Sequence, residues 1–138
     1  MSTEIRFMGH DTPARVFRAR AQEWGSRPAL RHKLRGLWQS YSWTQYYEQA
    51  RAVGLALRDL GVQRGEVIAV LAENRPEWLF ADIGAQCMGI VGCGVYPTSS
   101  AEQLQYILRD SGCRVLVVEN QEQLDKALSI TRIGRAHV

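Results

Sequence analysis

The side chains best suited to chemistry in this chain are three cysteines, three histidines, a cluster of glycines and a few carboxylates. Cys87, Cys93 and Cys113 are odd in number, sit in apolar surroundings and show no C-x-x-C spacing. They predict buried reduced thiols of a cytosolic protein, neither a disulfide framework nor a zinc knuckle. His10, His32 and His137 lie far apart and form no H-E-x-x-H pattern, so no metal site is expected. Gly89, Gly92 and Gly94 read G-x-x-G-x-G, whereas a dinucleotide-binding turn needs G-x-G-x-x-G between strand and helix. Gly84 and Gly89 have the inner spacing of a Walker loop, yet Ile90 stands where the phosphate-binding lysine would be.

Nucleophilic catalysis would need a Ser or Cys beside a base, and no G-x-S-x-G elbow occurs; Ser99-Ser100 fits helix capping better. Glu73, Glu77 and Asp82 would make an acid/base pair only if folding brought them together. Basic residues gather between Arg15 and Arg35, including Arg18, Arg20, Arg27, Arg31 and Lys33, with Glu23 the acid among them. Such a cluster would attract an anionic membrane surface or an acyl-CoA phosphate. An ordinary solvated face outweighs that reading, because the charges occupy a helix and a hairpin and need not point the same way. Trp24, Trp38, Trp43 and Trp78 read as packing residues in preference to an aromatic cage. No residue is therefore assigned a catalytic, cofactor-binding or metal-binding role.

Positioning any of these groups requires a fold, and 138 residues with 46% hydrophobic content suffice for one domain with a core. The 17 Lys+Arg against 14 Asp+Glu leave +3, too mild to imply nucleic acid. Met1 to His10 contains Glu4 and Arg6 and has no signal-peptide apolar run. The weakly polar stretch from Ile83 to Tyr96 is broken by Gln86 and glycines and falls short of the ~20 residues that span a bilayer. A cytoplasmic chain without a transmembrane segment is expected, with peripheral membrane contact left open.

Thr12-Pro13 reads as an N-cap and first helical residue, with Phe17, Ala21 and Trp24 at helical spacing before Gly25. Pro28 to His32 and Leu37 to Tyr41 suit a hairpin turning through Lys33 to Gly36. Ser42-Trp43-Thr44-Gln45 has capping-box form, and an apolar face then runs from Trp43 through Tyr46, Tyr47, Ala50, Val53 and Leu57 to Leu60, ending at Gly61. Val67 to Leu71 is continuously apolar, as in a central parallel strand. Asn74 to Glu77 can cap a helix whose Leu79, Phe80, Ile83 and Cys87 face a core. Ile90 to Tyr96 is a second apolar run. Ser99 to Glu102 has the S-x-x-E capping form before a helix with Leu104, Ile107 and Leu108 in its buried stripe. Val115 to Val118 makes a third buried strand, and Gln121 to Leu128 returns to helix. The alternation implies an α/β fold: a partial parallel sheet flanked by helices, with a short antiparallel hairpin near the N-terminus.

Several segments, taken in order, carry a family resemblance. Arg27-Pro28-Ala29-Leu30, Tyr41-Ser42-Trp43-Thr44-Gln45-Tyr46 and Leu60-Gly61-Val62-Gln63-Arg64-Gly65-Glu66 come first. Asn74-Arg75-Pro76-Glu77-Trp78, Met88-Gly89-Ile90-Val91 and Val95-Tyr96-Pro97-Thr98 follow, then Tyr106 to Gly112 and Val115 to Glu119. Their order and spacing over Thr12 to Ile130 resemble the opening of AMP-forming acyl-CoA synthetases of the adenylate-forming superfamily. Tyr96 to Ser100 and Glu119 to Leu124 favour the long-chain fatty acyl branch.

The resemblance implies an incomplete piece of a larger N-terminal domain: 1–11 an N-terminal extension, 12–130 a partial AMP-binding-enzyme domain, 131–138 a divergent tail. For the complete enzyme it implies ATP, magnesium and CoA, with fatty acid as substrate: adenylation of the carboxylate, then transfer to CoA as a thioester. The family's phosphate loop ending in Pro-Lys, its adenine and ribose segments and its C-terminal lysine have no counterpart here. No cofactor is therefore expected on this fragment, and it is expected to be inactive alone. The rival expectation is a non-catalytic α/β binding or interaction module.

Overall fold

In the computed structural model, residues 9–130 are described, so the expectations for Met1 to Met8, for the tail 131–138 and for His137 lie outside them. Helix α1 (Pro13–Trp24) starts as expected: the Thr12 hydroxyl accepts from the Arg15 amide at 3.3 Å, and Pro13 fills the position where no amide is needed. Strands β1 (Pro28–Leu34) and β2 (Leu37–Ser42) pair antiparallel, with Leu34 opposite Leu37. The reversal is only Arg35-Gly36, at φ 49° and 83°, the two left-handed residues of a tight hairpin whose twist matches its strands. The strand therefore runs through Lys33 and Leu34, which the sequence assigned to the turn. Trp38, read as a packing residue, is 68% exposed on this ribbon, because the outer end of a two-stranded hairpin meets no second layer.

Helix α2 (Trp43–Asp59) opens on the expected capping box: Ser42 Oγ accepts from the Gln45 amide at 3.1 Å, and Gln45 Oε1 from the Ser42 amide at 2.9 Å. Strand β3 (Val67–Leu71) is the middle of a parallel sheet ordered β4-β3-β5, with β4 (Val91–Val95) and β5 (Val115–Val118) at the edges. Helices α3 (Pro76–Cys87), α4 (Ala101–Asp110) and α5 (Gln121–Ile130) complete the alternation.

Because side chains alternate across a strand, β3 feeds two cores. Ile68 and Val70 pack with Leu57 of α2, Val62 just after it, Ala81 and Ala85 of α3, and Ile90. Ala69 and Leu71 pack with Val95, Leu104 of α4, Leu116 and Ala127 of α5. Covered on both faces, β3 tolerates no polar residue, which is why it reads as one apolar run. A third cluster of Phe17, Ala50 and Ile83, edged by Trp43, Tyr46 and Tyr47, fixes α1 on the outside of α2 and α3. Burying side chains the size of Ile68, Leu71 or Leu104 contributes about 1.5–3 kcal/mol each.

The α2–α3 crossing is set by glycine. A Cβ on Gly84 would lie 2.5 Å from the Ala50 carbonyl oxygen, and one on Gly54 would lie 2.9 Å from that of Gly84. The backbones touch because neither position carries a side chain.

Three local expectations are corrected and one is narrowed. The cap of α4 is Ser100 with Gln103, one residue later than the Ser99–Glu102 frame, because the Ser99 amide is already bonded to the Tyr96 carbonyl in the preceding turn. Within the Asn74 to Glu77 segment expected to cap α3, the N-cap is Arg75 and it makes no side-chain cap bond; Pro76 starts that helix without needing one. Leu79 and Cys87 do not face the core. The buried stripe of α3 is Phe80, Ala81, Ile83, Gly84 and Ala85, and Leu79 is left against the hairpin while Cys87 lies one turn past Ile83 at a groove rim. The run from Ile90 to Tyr96 is an edge strand, with Val91 half exposed and Tyr96 81% exposed, so its apolar composition does not mean burial on both faces.

Candidate functional site

In an open parallel sheet, ligands sit beyond the carboxyl ends of the strands, where neighbouring strands send their helices to opposite faces. Strands β3 and β5 are such neighbours: α3 packs on the Ile68/Val70 side and α5 on the Ala69/Leu71 side. The crevice between their ends holds Glu73, Asn74 and Arg75 from the first loop and Glu119 and Asn120 from the second.

That crevice is already occupied by a carboxylate of the chain. Glu119, only 9% exposed at its side chain, accepts from the Glu73 amide at 3.0 Å and lies 3.7 Å from Arg75. Arg75 also donates to Glu77 at 2.9 Å. Its guanidinium pKa is raised, first by the hydrogen bond to Glu77 and then by that carboxylate's charge. At Glu77 burial pushes the carboxyl up, but the hydrogen bond from Arg75, a second from Glu77's own backbone amide and the charge of Arg75 hold it net below the usual carboxylate range. Asn120 Oδ1 caps α5 by accepting from the Gln123 amide at 3.0 Å. Beside this crevice, a cleft of about 300 Å³ opens between the hairpin and the start of α3, with Leu30, His32, Pro76 and Trp78 among its walls. Tyr41, stacked on His32 and edge-on to Phe80 at 5.2 Å, holds the hairpin there.

The other candidates disperse. Glu73 contributes its amide, Glu77 its bond to Arg75, and Asp82 accepts from Gln86 Nε2 at 2.9 Å, so the three carboxylates make no acid/base pair. Gly92 and Gly94 are not in a loop. They are one face of β4, where a Cβ would meet Asp82 Oδ1 at 2.5 Å and Trp78 at 3.1 Å, so they let α3 lie on the strand. Trp78 is thereby a packing residue, as are Trp24 and Trp43, edge to face at 5.1 Å. The basic cluster splits. Arg15 is bound to Asp11, Arg20 pairs with Glu23 and lies over the Trp24 ring, Arg31 lines the hairpin cleft, and Arg18 faces a separate groove. All three thiols are free; Cys93 and Cys113 are half-buried and Cys87 exposed, which corrects the expectation of three buried thiols. Among the described residues no three metal-ligating side chains converge, and no helix is long and apolar enough to cross a membrane.

A magnesium triphosphate needs amide donors and uncommitted cations around its oxygens. Here the amides opening α2 and α4 are taken by Ser42 and Ser100, and Arg75 is divided between two carboxylates. The residues present do not fit that group. Glu119 is the contact the sequence did not single out; its place immediately after a strand end was the available signal.

A two-faced parallel sheet with an N-terminal hairpin is the architecture of adenylate-forming ligases. The chain superposes with a TM-score of 0.74 on the anthranilate CoA ligase AuaEII solved with anthranoyl-AMP, at 28% identity over 85% of this chain and 22% of that one. It superposes at 0.79 on VinN solved with L-aspartate, at 19% identity over 86% and 32%, a likeness of fold alone. The sequence profile of the AMP-binding enzyme family matches residues 17–137, and the chain belongs to that family. Long-chain-fatty-acid–CoA ligase ACSBG2 of Rattus norvegicus is 38% identical over 125 residues, 88% of this chain and 19% of its own length. ACSBG1 of Bos taurus is 39% identical over 119 residues, 86% and 16%. The chain spans less than a fifth of the length of these curated relatives.

Proposed function

We propose that this chain supplies the N-terminal portion of a long-chain fatty acid–CoA ligase, acting with ATP, magnesium and CoA in the complete enzyme, and that it has no turnover alone. The observation that carries the reading is the 38% identity to a long-chain-fatty-acid–CoA ligase across 88% of the chain. Its inactivity alone is supported by the committed state of Arg75 and of the capped amides opening α2 and α4, which are not free to stabilise charge developing on a transferring phosphoryl group. The unit 12–130 would then serve as scaffold, with 131–138 a divergent tail, in a cytoplasmic or peripherally membrane-associated enzyme.

The test is fatty-acid-dependent exchange of pyrophosphate into ATP, measured for the 138-residue chain alone and after mixing with the remaining portion of a family ligase expressed separately. The expected result is no exchange alone and exchange in the mixture. Exchange by the isolated chain would overturn its inactivity. Failure of the mixture, together with a cooperative melt of a monomeric chain, would favour the rival binding module. The edge strand with Val91 half exposed and the exposed Tyr96 and Tyr106 support the scaffold reading over that rival.

A further inference from the structure

A groove of about 310 Å³ lies between α1, α2 and the last turn of α3, away from the carboxyl ends of the sheet. Its floor is backbone, since Gly54 and Gly84 meet there and Ala50 is fully buried. Phe17, Tyr47, Leu55 and Met88 give it apolar walls. Arg18 from α1 and Arg51 from α2 also line it, both exposed, and among the described residues neither has a carboxylate partner. Arg15, the third cation of the lining, is already neutralised by Asp11 at 2.8 Å.

We propose that this groove binds one single-chain carboxylate of medium length, its head on Arg18 and Arg51 and its tail against Tyr47, Leu55 and Met88. Guanidinium is the side chain best matched to a carboxylate, through two parallel hydrogen bonds, and here two of them are uncommitted beside apolar surface. The volume is at the small end of ligand sites and equals about ten liquid-water volumes, which suits one alkyl tail and not a pair of lipid chains. The recessed floor also selects a single molecule over a flat membrane surface. The site requires neither ATP nor CoA, so it stands apart from the ligase reading.

Cys87, exposed at the rim, provides the readout. Desolvation raises its thiol pKa, against the opposing charge of Arg18, so it reacts slowly enough to serve as a reporter. Alkylation by an uncharged maleimide, quantified per peptide by mass spectrometry, is to be followed on the 138-residue chain with decanoate, decanol or acetate and with anionic phospholipid vesicles. Decanoate at about four times its dissociation constant should slow Cys87 alkylation about fivefold, leaving Cys93 and Cys113 as unchanged references. Decanol and acetate should give little protection. The double variant Arg18→Gln/Arg51→Gln should lose it while keeping the parent's unfolding midpoint, and Arg18→Lys/Arg51→Lys should keep part of it. Unchanged alkylation with decanoate, equal protection by decanol, or protection by vesicles alone would each overturn the proposal. Should the double Gln variant unfold, isothermal titration of the parent chain decides: heat with decanoate and none with decanol supports the site, and no difference between them overturns it.

Discussion

On the Ile68/Val70 side of the sheet, α2 and α3 meet through Gly54 and Gly84, and α3 meets β4 through Gly92 and Gly94; the fit comes from side chains that are absent. On the Ala69/Leu71 side, α4 and α5 are held by side chains that are present: Leu104 and Ala127 in the core, and Lys126, whose Nζ donates to the carbonyls of Pro97 at 2.6 Å and Ser99 at 2.9 Å. The same strand thus faces one layer intolerant of added volume and another intolerant of lost volume. Total burial alone would not distinguish them. Only the identity of the atoms at closest approach does.

That contrast can be broken from either side. The largest effect is expected for Leu104→Ala, which empties a fully buried position and should cost about 2–5 kcal/mol in urea unfolding. A loss near 1 kcal/mol would mean that α4 collapses into the space and that its face does not depend on volume. Gly84→Ala adds one methyl and should cost about 1–3 kcal/mol, because the new Cβ meets the Ala50 carbonyl oxygen, which cannot swing away as a side-chain tip could. A neutral or stabilising result would show that the helices can part freely, and the contrast would fail. Lys126→Met keeps the side-chain stem but removes both carbonyl bonds; a loss of about 1–2 kcal/mol is expected, and a melt indistinguishable from the parent would assign α5 to apolar packing alone.

The smallest effect is one of pH. Tyr46, in the cluster outside α2 and α3, has its phenol pushed up to about 12, first by burial and then by the charges of Asp82 and Cys87. The folded value lies above the unfolded one near 10, so the folded state favours the neutral phenol. Its contribution is complete below about pH 10 and is lost as pH rises toward about 12. Phenolate absorbance should show one tyrosine ionising after the rest, a lag missing in Tyr46→Phe. No lag in the parent would mean that water reaches the ring.

Most of the fold was legible because local signals and tertiary demands agreed. Thr12-Pro13, Ser42 to Gln45 and the Val67 to Leu71 run each announced its element, and each occupies it. Legibility failed where two frames were locally equivalent or where depth depended on distant partners. Ser99 and Ser100 each have an acid or amide three residues on, and only the turn back to Tyr96 decides between them. Cys87 keeps helical step with Ile83, yet its surroundings are set by how far α1 extends over α2 and α3. Gly92 and Gly94 fall inside a run that the sequence does read as a strand, but only the placement of Asp82 and Trp78 shows why that strand carries glycine. The crevice at the strand ends was illegible for a related reason: the Glu73–Glu119 contact joins positions 46 residues apart, and nothing local marks either as a partner of the other.

The tip of the hairpin has a practical consequence. Arg35 holds a left-handed conformation between Leu34 and Gly36, fully outside both strands, while Arg31 and Lys33 are shielded by pairing with Ser40 and Trp38. A trypsin-like protease therefore meets a peptide bond outside the paired strands there, at a point crossed by no core side chain. The two pieces would remain clasped through the paired strands and the Tyr41–Phe80 contact, which makes this bond the natural seam for a split or circularly permuted form of the unit.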